Sequence, residues 1–180
     1  MEVKDSIRAI IEKIDPNNES IDETPARVEK SYDEFFSGYG VKVSDIADAF
    51  YCSETDDLII LKNIPFESHC EHHIVPIIGT ASVGYVPNGK IIGASKMARI
   101  VDCFAKRLQL QERMTVEIAK ALESVLNCKG VGVYIEAEHF CISHRGVKKH
   151  GSKFVTRYFS GVIKGDLRRE FLMTALGRND

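Results

Sequence analysis

The run His69-Cys70-Glu71-His72-His73 constrains this chain more than any other stretch. Three imidazoles, a thiol and a carboxylate in succession make a poor packing segment, because such groups are seldom fully buried without partners. Cys70 and His73 are three residues apart, so one tight turn brings both side chains to the same point. That is half of a zinc site. Far downstream, His139-Phe140-Cys141 offers a second half. If that segment is a strand, His139 and Cys141 share a face. Cys70, His73 and Cys141 are therefore candidate metal ligands, with His72 and His139 beside them. Thiolate and imidazole suit Zn²⁺ better than they suit hard, oxygen-preferring cations. Three protein ligands and one open position form the catalytic zinc pattern, in which the pKa of a bound water falls to about 7. The alternatives are a structural zinc that recruits His69 or His72 as fourth ligand, or no metal.

With 180 residues the chain is one domain, or one domain with a helical extension, and it is long enough to bury a core. A formal charge of -2 argues against general binding to nucleic acid or to a membrane surface, though a local basic pocket stays compatible with it. The first residues, Met1-Glu2-Val3-Lys4-Asp5, form no apolar signal region, and no stretch has membrane-spanning length. The five cysteines, 52, 70, 103, 128 and 141, are an odd number. A reduced, cytoplasmic protein is the expectation, and there a Cys/His cluster points to metal or catalysis rather than to disulfides.

Periodicity predicts a helix over 3–14 and a second from Thr24-Pro25, with Thr24 as cap and Val28, Tyr32, Phe35 and Phe36 as its stripe. A short helix is expected over Ser44–Tyr51. Strand character begins near Leu58 and resumes over Val75–Val86, with Asn88-Gly89 as a hairpin turn and Ile91-Ile92 returning from it. Ser95 reads as the cap of a helix carrying Met97, Ile100, Val101, Phe104 and Leu108. A further helix carries Met114, Ile118, Leu122 and Leu126, with Gly130 at its C-terminal left-handed position. The alternating run Val131–Ile142 puts its apolar face in line with His139 and Cys141. Lys153–Ile163 is its expected partner strand, and Asp166–Leu176 a last helix. This order predicts an α+β fold, an antiparallel sheet covered by helices.

Three polar clusters accompany the metal-type residues. Ser95-Lys96-Met97-Ala98-Arg99 places cations in the first turn of a helix, where the dipole disfavours them unless an anion binds. Two solvated surface cations are the equal alternative. Arg145-Gly146-Val147-Lys148-Lys149 follows the second metal half directly and suits a phosphate-bearing substrate, although a solvated loop is the commoner case for such a run. Gln111-Glu112 opens a helix, where Glu112 favourably meets the dipole; the functional alternative is a carboxylate accepting paired N–H donors from a base such as guanine. Cys52, Cys103 and Cys128 read as ordinary thiols.

Taken together, Cys70-Glu71-His72-His73, Ile92–Arg99, Gln111-Glu112-Arg113 and Glu138-His139-Phe140-Cys141 with Arg145-Gly146-Val147 resemble GTP cyclohydrolase I in order and spacing. Thr24-Pro25-Ala26-Arg27-Val28 is similar too, and the resemblance runs from about residue 5 to 176. It implies a tunnelling fold, with an N-terminal helical region over 1–55 and a catalytic domain over 56–180. Sheets of neighbouring subunits would join into a barrel ring, giving a homodecamer with active sites between subunits. The implied reaction converts GTP and water to 7,8-dihydroneopterin triphosphate and formate. By position, Cys70, His73 and Cys141 would hold zinc, and His72 and His139 would be the acid/base pair. Glu112, with Gln111 beside it, would hold the guanine edge. Lys96, Arg99, Arg145 and Arg27 would bind triphosphate, and Ser95 would lie near the ribose. No long N-terminal extension precedes the family motifs, so control through a regulatory partner is not expected.

Three positions depart from the family's habit. His69 and His144 stand where methionine or a small residue is common, and are read as competing ligands or as groups that tune the bound water. Leu108 replaces a proline. Two rivals carry different chemistry. A nitrile reductase of the same fold needs a nucleophilic cysteine and no zinc, which the intact Cys70/His73/Cys141 set opposes. A zinc-stabilised binding protein without catalysis needs neither His72 nor His139.

Overall fold

The computed structural model describes residues 2–52 and 54–177. Helices α1 (Val3–Ile14) and α2 (Thr24–Phe35) lie where the apolar periodicity puts them. Of the α1 stripe only Ile7 is buried; Val3, Ile10 and Ile14 remain exposed. Thr24 is the first helical residue rather than the cap, and Pro25 fills the second position, where its missing N–H costs nothing.

The helix expected over Ser44–Tyr51 is not formed. One turn, α3 (Val43–Ile46), is followed by a short strand, β1 (Ala49–Tyr51). Strand β2 (Ile59–Cys70) is much longer than the apolar run Leu58–Leu61 suggested, and Cys70 is its last residue. Strand β3 (Pro76–Val86) starts at Pro76, leaving Val75 outside it, and runs unbroken through Gly79. After the Asn88-Gly89 turn, β4 (Lys90–Ile92) does not pair back on β3. It pairs with β1 in a separate two-stranded sheet, and the Ile92 N–H donates to the Tyr85 hydroxyl of β3 at 3.0 Å.

Helix α4 (Ala94–Ala105) is capped by Gly93, not by Ser95, which sits inside its first turn. A two-residue strand, β5 (Leu108–Gln109), leads into α5 (Gln111–Leu126). There Asn127, at φ +48°, takes the left-handed position expected for Gly130, and Gly130 instead opens β6 (Gly130–His139). A one-turn helix, α6 (Phe140–Ser143), then carries Cys141, so the metal-type pair His139/Cys141 is not on a continuous strand. Strand β7 (Phe154–Phe159) and helix α7 (Gly165–Ala175) close the chain.

The main sheet has the order β5-β2-β3-β6-β7, antiparallel except for the β5–β2 contact. Helices α4 and α5 bury Met97, Ile100 and Val101, and Met114, Ile118 and Leu122, with Ala81, Val83, Val133 and Ile135 of the sheet. Each large side chain of this kind contributes about 1.5–3 kcal/mol. Gly84 and Gly132, adjacent in register, leave room for the Phe171 ring of α7; a Cβ at either would lie about 3 Å from it. The α+β class read from the sequence, a largely antiparallel sheet covered by helices, is thus the one adopted.

This register places the site. β2 and β6 both flank β3, and Pro76 and Ile77 at the start of β3 face His69 and His139. Cys70 and His139 therefore emerge at one end of the sheet. The pairing of Cys70 with Gln109 brings the N-terminus of α5 to the same end. Helix α4 starts at the opposite end, beside Tyr85, and rises about 18 Å before its C-terminus reaches Ser68.

Candidate functional site

The loop after β2 is closed by backbone bonds from the Cys70 N–H to Val75 O at 2.9 Å and from the Ile74 N–H to Cys70 O at 2.8 Å. Ile74 takes φ +54°, a left-handed conformation that a β-branched residue adopts only under constraint. This turn sets the His73 Nδ1 atom 3.7 Å from Cys70 Sγ. The sulfur atoms of Cys70 and Cys141 and a ring nitrogen of His73 all lie within 4.8 Å of one another. No other group of three such residues gathers among the described residues.

The donor set fits a zinc ion. Thiolate and imidazole ligands on one tetrahedral zinc stand about 3.6 Å apart, given bonds of about 2.3 and 2.05 Å, and the Cys70–His73 separation matches. Burial pushes the Cys141 thiol up, and the neighbouring Cys70 pushes it further. Two adjacent thiolates repel, and a cation between them removes that cost.

His139, at the end of β6, is half-buried, and burial holds its ring nitrogens below the usual imidazole range, with Glu112 opposing. His72 is exposed on the turn, its ring 6.2 Å from that of His73. Glu112 is exposed in the first turn of α5. Cys70, His72, Glu112, His139 and Cys141 line one cleft of about 190 Å³, floored by Phe154. A more open cleft of about 620 Å³ adjoins it through His72 and Gln109, walled by Tyr39, Glu71, Arg107 and Arg113. Arg145 donates from Nη1 to His73 Nε2 at 2.9 Å, and so stands directly at the ligand set.

Gln111 is brought to the cleft but has no exposure, and its amide is engaged within the protein. Four other predicted residues lie elsewhere. Ser95 is exposed in the first turn of α4. Lys96 donates to the Asp48 carboxylate. Arg99 borders a separate cavity of about 170 Å³ beside Asp102 and Lys106. Arg27 pairs with Glu23 on the outside of α2. One chain thus gathers the Cys/His/Glu half of the predicted set with Arg145, and carries the Ser95/Lys96/Arg99 group at the far end of α4.

Neither extra histidine competes for the metal position. The His69 ring packs on Phe35 and Phe36, at 4.9 and 5.3 Å, with Nδ1 buried and unpartnered. His144 stacks on Phe140 and bonds Ser143 Oγ through Nδ1 at 2.7 Å. Sequence reasoning missed Thr115, Thr156 and Glu71. Thr115 and Thr156 hold Gln111, and Glu71 pairs with Arg113 and so ties the turn to α5. The only signal for Thr115 was a polar residue beside Met114 on an otherwise apolar helix face.

Comparison with known proteins adds an independent finding. The sequence profile of the family described as GTP cyclohydrolase I matches residues 3–176. A Sinorhizobium fredii protein named GTP cyclohydrolase 1 is 48% identical over 167 residues, covering 91% of this chain and 82% of its own. The Clostridium kluyveri protein of that name is 48% identical, covering 92% and 90%. That of Caldanaerobacter subterraneus subsp. tengcongensis is 47% identical over 177 residues, covering 97% and 94%.

Proposed function

The chain belongs to the GTP cyclohydrolase I family, and from that premise we propose that it is a zinc-dependent enzyme converting GTP and water to 7,8-dihydroneopterin triphosphate and formate. The observation that carries this reading is the convergence of Cys70, His73 and Cys141 beside His72, His139 and Glu112 in one cleft.

Cys70, His73 and Cys141 would hold the zinc, which when bound supplies an activated water at neutral pH. Glu112 accepts the N–H groups of the guanine edge, and its charge favours a protonated His139 nearby. His139 delivers a proton to N7, making C8 electrophilic for hydrolysis and loss of formate. His72, which lines the same cleft, serves the ribose steps, ring opening and the rearrangement that precedes pterin closure. Arg145 would move from His73 to the triphosphate, since a guanidinium pairs better with phosphate than with an imidazole nitrogen.

The remaining phosphate and ribose groups, Lys96, Arg99, Arg27 and Ser95, would come from another copy of the chain. Three features support this. Within one chain Lys96 pairs with Asp48 and Arg99 borders a separate cavity, so neither lines the cleft that holds His139. Among the described residues, the outer edges of β7 and of most of β2 have no strand partner, so the sheet can continue into neighbours. Val3, Ile10 and Ile14 leave the α1 stripe uncovered. A homodecamer of joined sheets meets all three. Among the described residues no helix is long and apolar enough to cross a membrane, and a reducing cytoplasm suits the five unpaired cysteines.

The test is incubation of zinc-loaded protein with GTP. Formate and a pterin that fluoresces after oxidation should appear in equal amounts. Neither product, with zinc bound, overturns the reading; formate alone overturns the assignments on the ribose side.

A further inference from the structure

We propose that Gln111 is a positioning residue that holds His139 in the Nε2–H tautomer and leaves Nδ1 as the ring nitrogen that works in the cleft. This deepens the role given to His139 above and rests on that reading.

The reasoning is a chain of forced hydrogen-bond directions. Gln111 Nε2 lies 3.3 Å from Ile135 O, 3.1 Å from Phe154 O and 3.0 Å from Thr156 Oγ1. Two of these are carbonyl oxygens, which only accept, so the amide NH₂ must face them. The reverse orientation would set Oε1 against both carbonyls in a site with no exposure to water. The Thr pair closes the loop. Thr115 Oγ1 gives its one proton to Gln111 O at 2.6 Å, so the 2.7 Å contact between the hydroxyls is a donation from Thr156 to Thr115. Thr156 is then free to accept from Gln111.

With Nε2 of the amide committed, Oε1 faces His139 Nε2 at 2.8 Å. An amide oxygen only accepts, so His139 Nε2 must carry a hydrogen. Nδ1 has no hydrogen-bond partner among the described residues and is not among their buried unpartnered atoms. In the neutral ring it is the acceptor, and it is the atom through which His139 takes and gives a proton. The carbonyls come from β6 and β7 and the threonines from α5 and β7, so rigid elements hold the amide from three sides. Gln111 thus does not serve the guanine edge as the family spacing suggested; Glu112, one residue on, is exposed and free for it.

The test combines a spectrum with kinetics on the zinc-loaded protein. Ring-¹⁵N-labelled histidine in the wild type should give His139 a protonated-type Nε2 and an unprotonated-type Nδ1 in the neutral state. The opposite pattern overturns the proposal, whether or not GTP is turned over, so its failure is separate from failure of the proposed activity. Gln111→Met should lower kcat on the order of 10²-fold while KM for GTP stays within about threefold, the scale of a lost orienting contact to an acid/base group. A KM raised more than about tenfold at unchanged kcat would make Gln111 a substrate contact and overturn the proposal. Thr156→Val, on a half-buried strand position, carries the same test if Gln111→Met does not fold. It should lower kcat several-fold, and Thr156→Ser should restore it; a Thr156→Val that raises KM alone counts against the proposal.

Discussion

Cys70 Sγ lies 3.7 Å from His73 Nδ1 across a turn whose closing residue, Ile74, sits at φ +54°. The spacing of these two proposed ligands is therefore set by backbone conformation. A left-handed conformation costs an L-residue about 1–2 kcal/mol, and Ile74 recovers little of it by burial, being 54% exposed. Ile74→Gly removes that cost while adding about 0.5–1 kcal/mol of chain entropy. Thermal unfolding of the variant should be unchanged or up to a few degrees higher. A marked fall would mean that the Ile74 side chain is covered in the assembled protein.

Removing one sulfur should remove the metal. Cys141→Ser replaces a thiolate with a hydroxyl that does not ionise at neutral pH. Metal analysis after dialysis should find less than about a tenth of the wild-type zinc per chain, with the fold kept by circular dichroism. Retention of a full equivalent would show that the ion is held elsewhere.

His69 makes acid stability a separate matter from catalysis. Burial between Phe35 and Phe36 holds its pKa below that of the unfolded chain, with Glu67 opposing. The neutral ring is the form that fits, so stability is fully present above the unfolded value and is lost as pH falls below about 6.5 toward the folded pKa. His69→Phe removes both the titration and an unpartnered buried nitrogen, whose cost is about 1–3 kcal/mol. Denaturant unfolding at pH 7.5 and 5.5 should show a smaller loss for the variant than for the wild type. Equal losses would assign the acid sensitivity to another group.

Glu112 is exposed at the mouth of the cleft, a position suited to accepting two N–H groups at once. Hydrogen bonds to a charged group are worth about 1.5–3 kcal/mol. Glu112→Gln should therefore lower kcat/KM for GTP by about 10–100-fold. It should also narrow the preference for GTP over inosine triphosphate, which lacks the 2-amino group. Unchanged discrimination would take Glu112 off the guanine edge.

Much of this was legible in the chain. The 3.6-residue periodicity of Met114, Ile118 and Leu122 and the alternation of Val131, Val133 and Ile135 come from burial on one face, which a sequence records directly. The cysteine–histidine spacings record a turn. What a single sequence does not record is which neighbour completes a hydrogen bond. Gln111 looked like a guanine contact because it adjoins Glu112; its buried amide depends on carbonyls from two strands distant in sequence. β4 looked like the return arm of a hairpin, yet it pairs with β1, some forty residues earlier in the chain. His69 and His144 looked like ligands by proximity, yet the strand pleat turns His69 toward α2 and stacking draws His144 onto Phe140.

On this reading each chain carries two half-sites, Cys70/His73/Cys141 with His139 and Ser95/Lys96/Arg99, which only a second copy unites. Mixing two variants tests it. His139→Ala and the double variant Lys96→Ala, Arg99→Ala should each be nearly inactive as pure assemblies. Co-refolded or co-expressed in equal amounts, they should regain up to roughly a quarter of wild-type turnover, because random assembly pairs two intact halves at that frequency. Recovery of that size is the predicted result. No recovery, from mixed assemblies verified by mass, would contradict the claim and place both groups of residues in the site of a single chain.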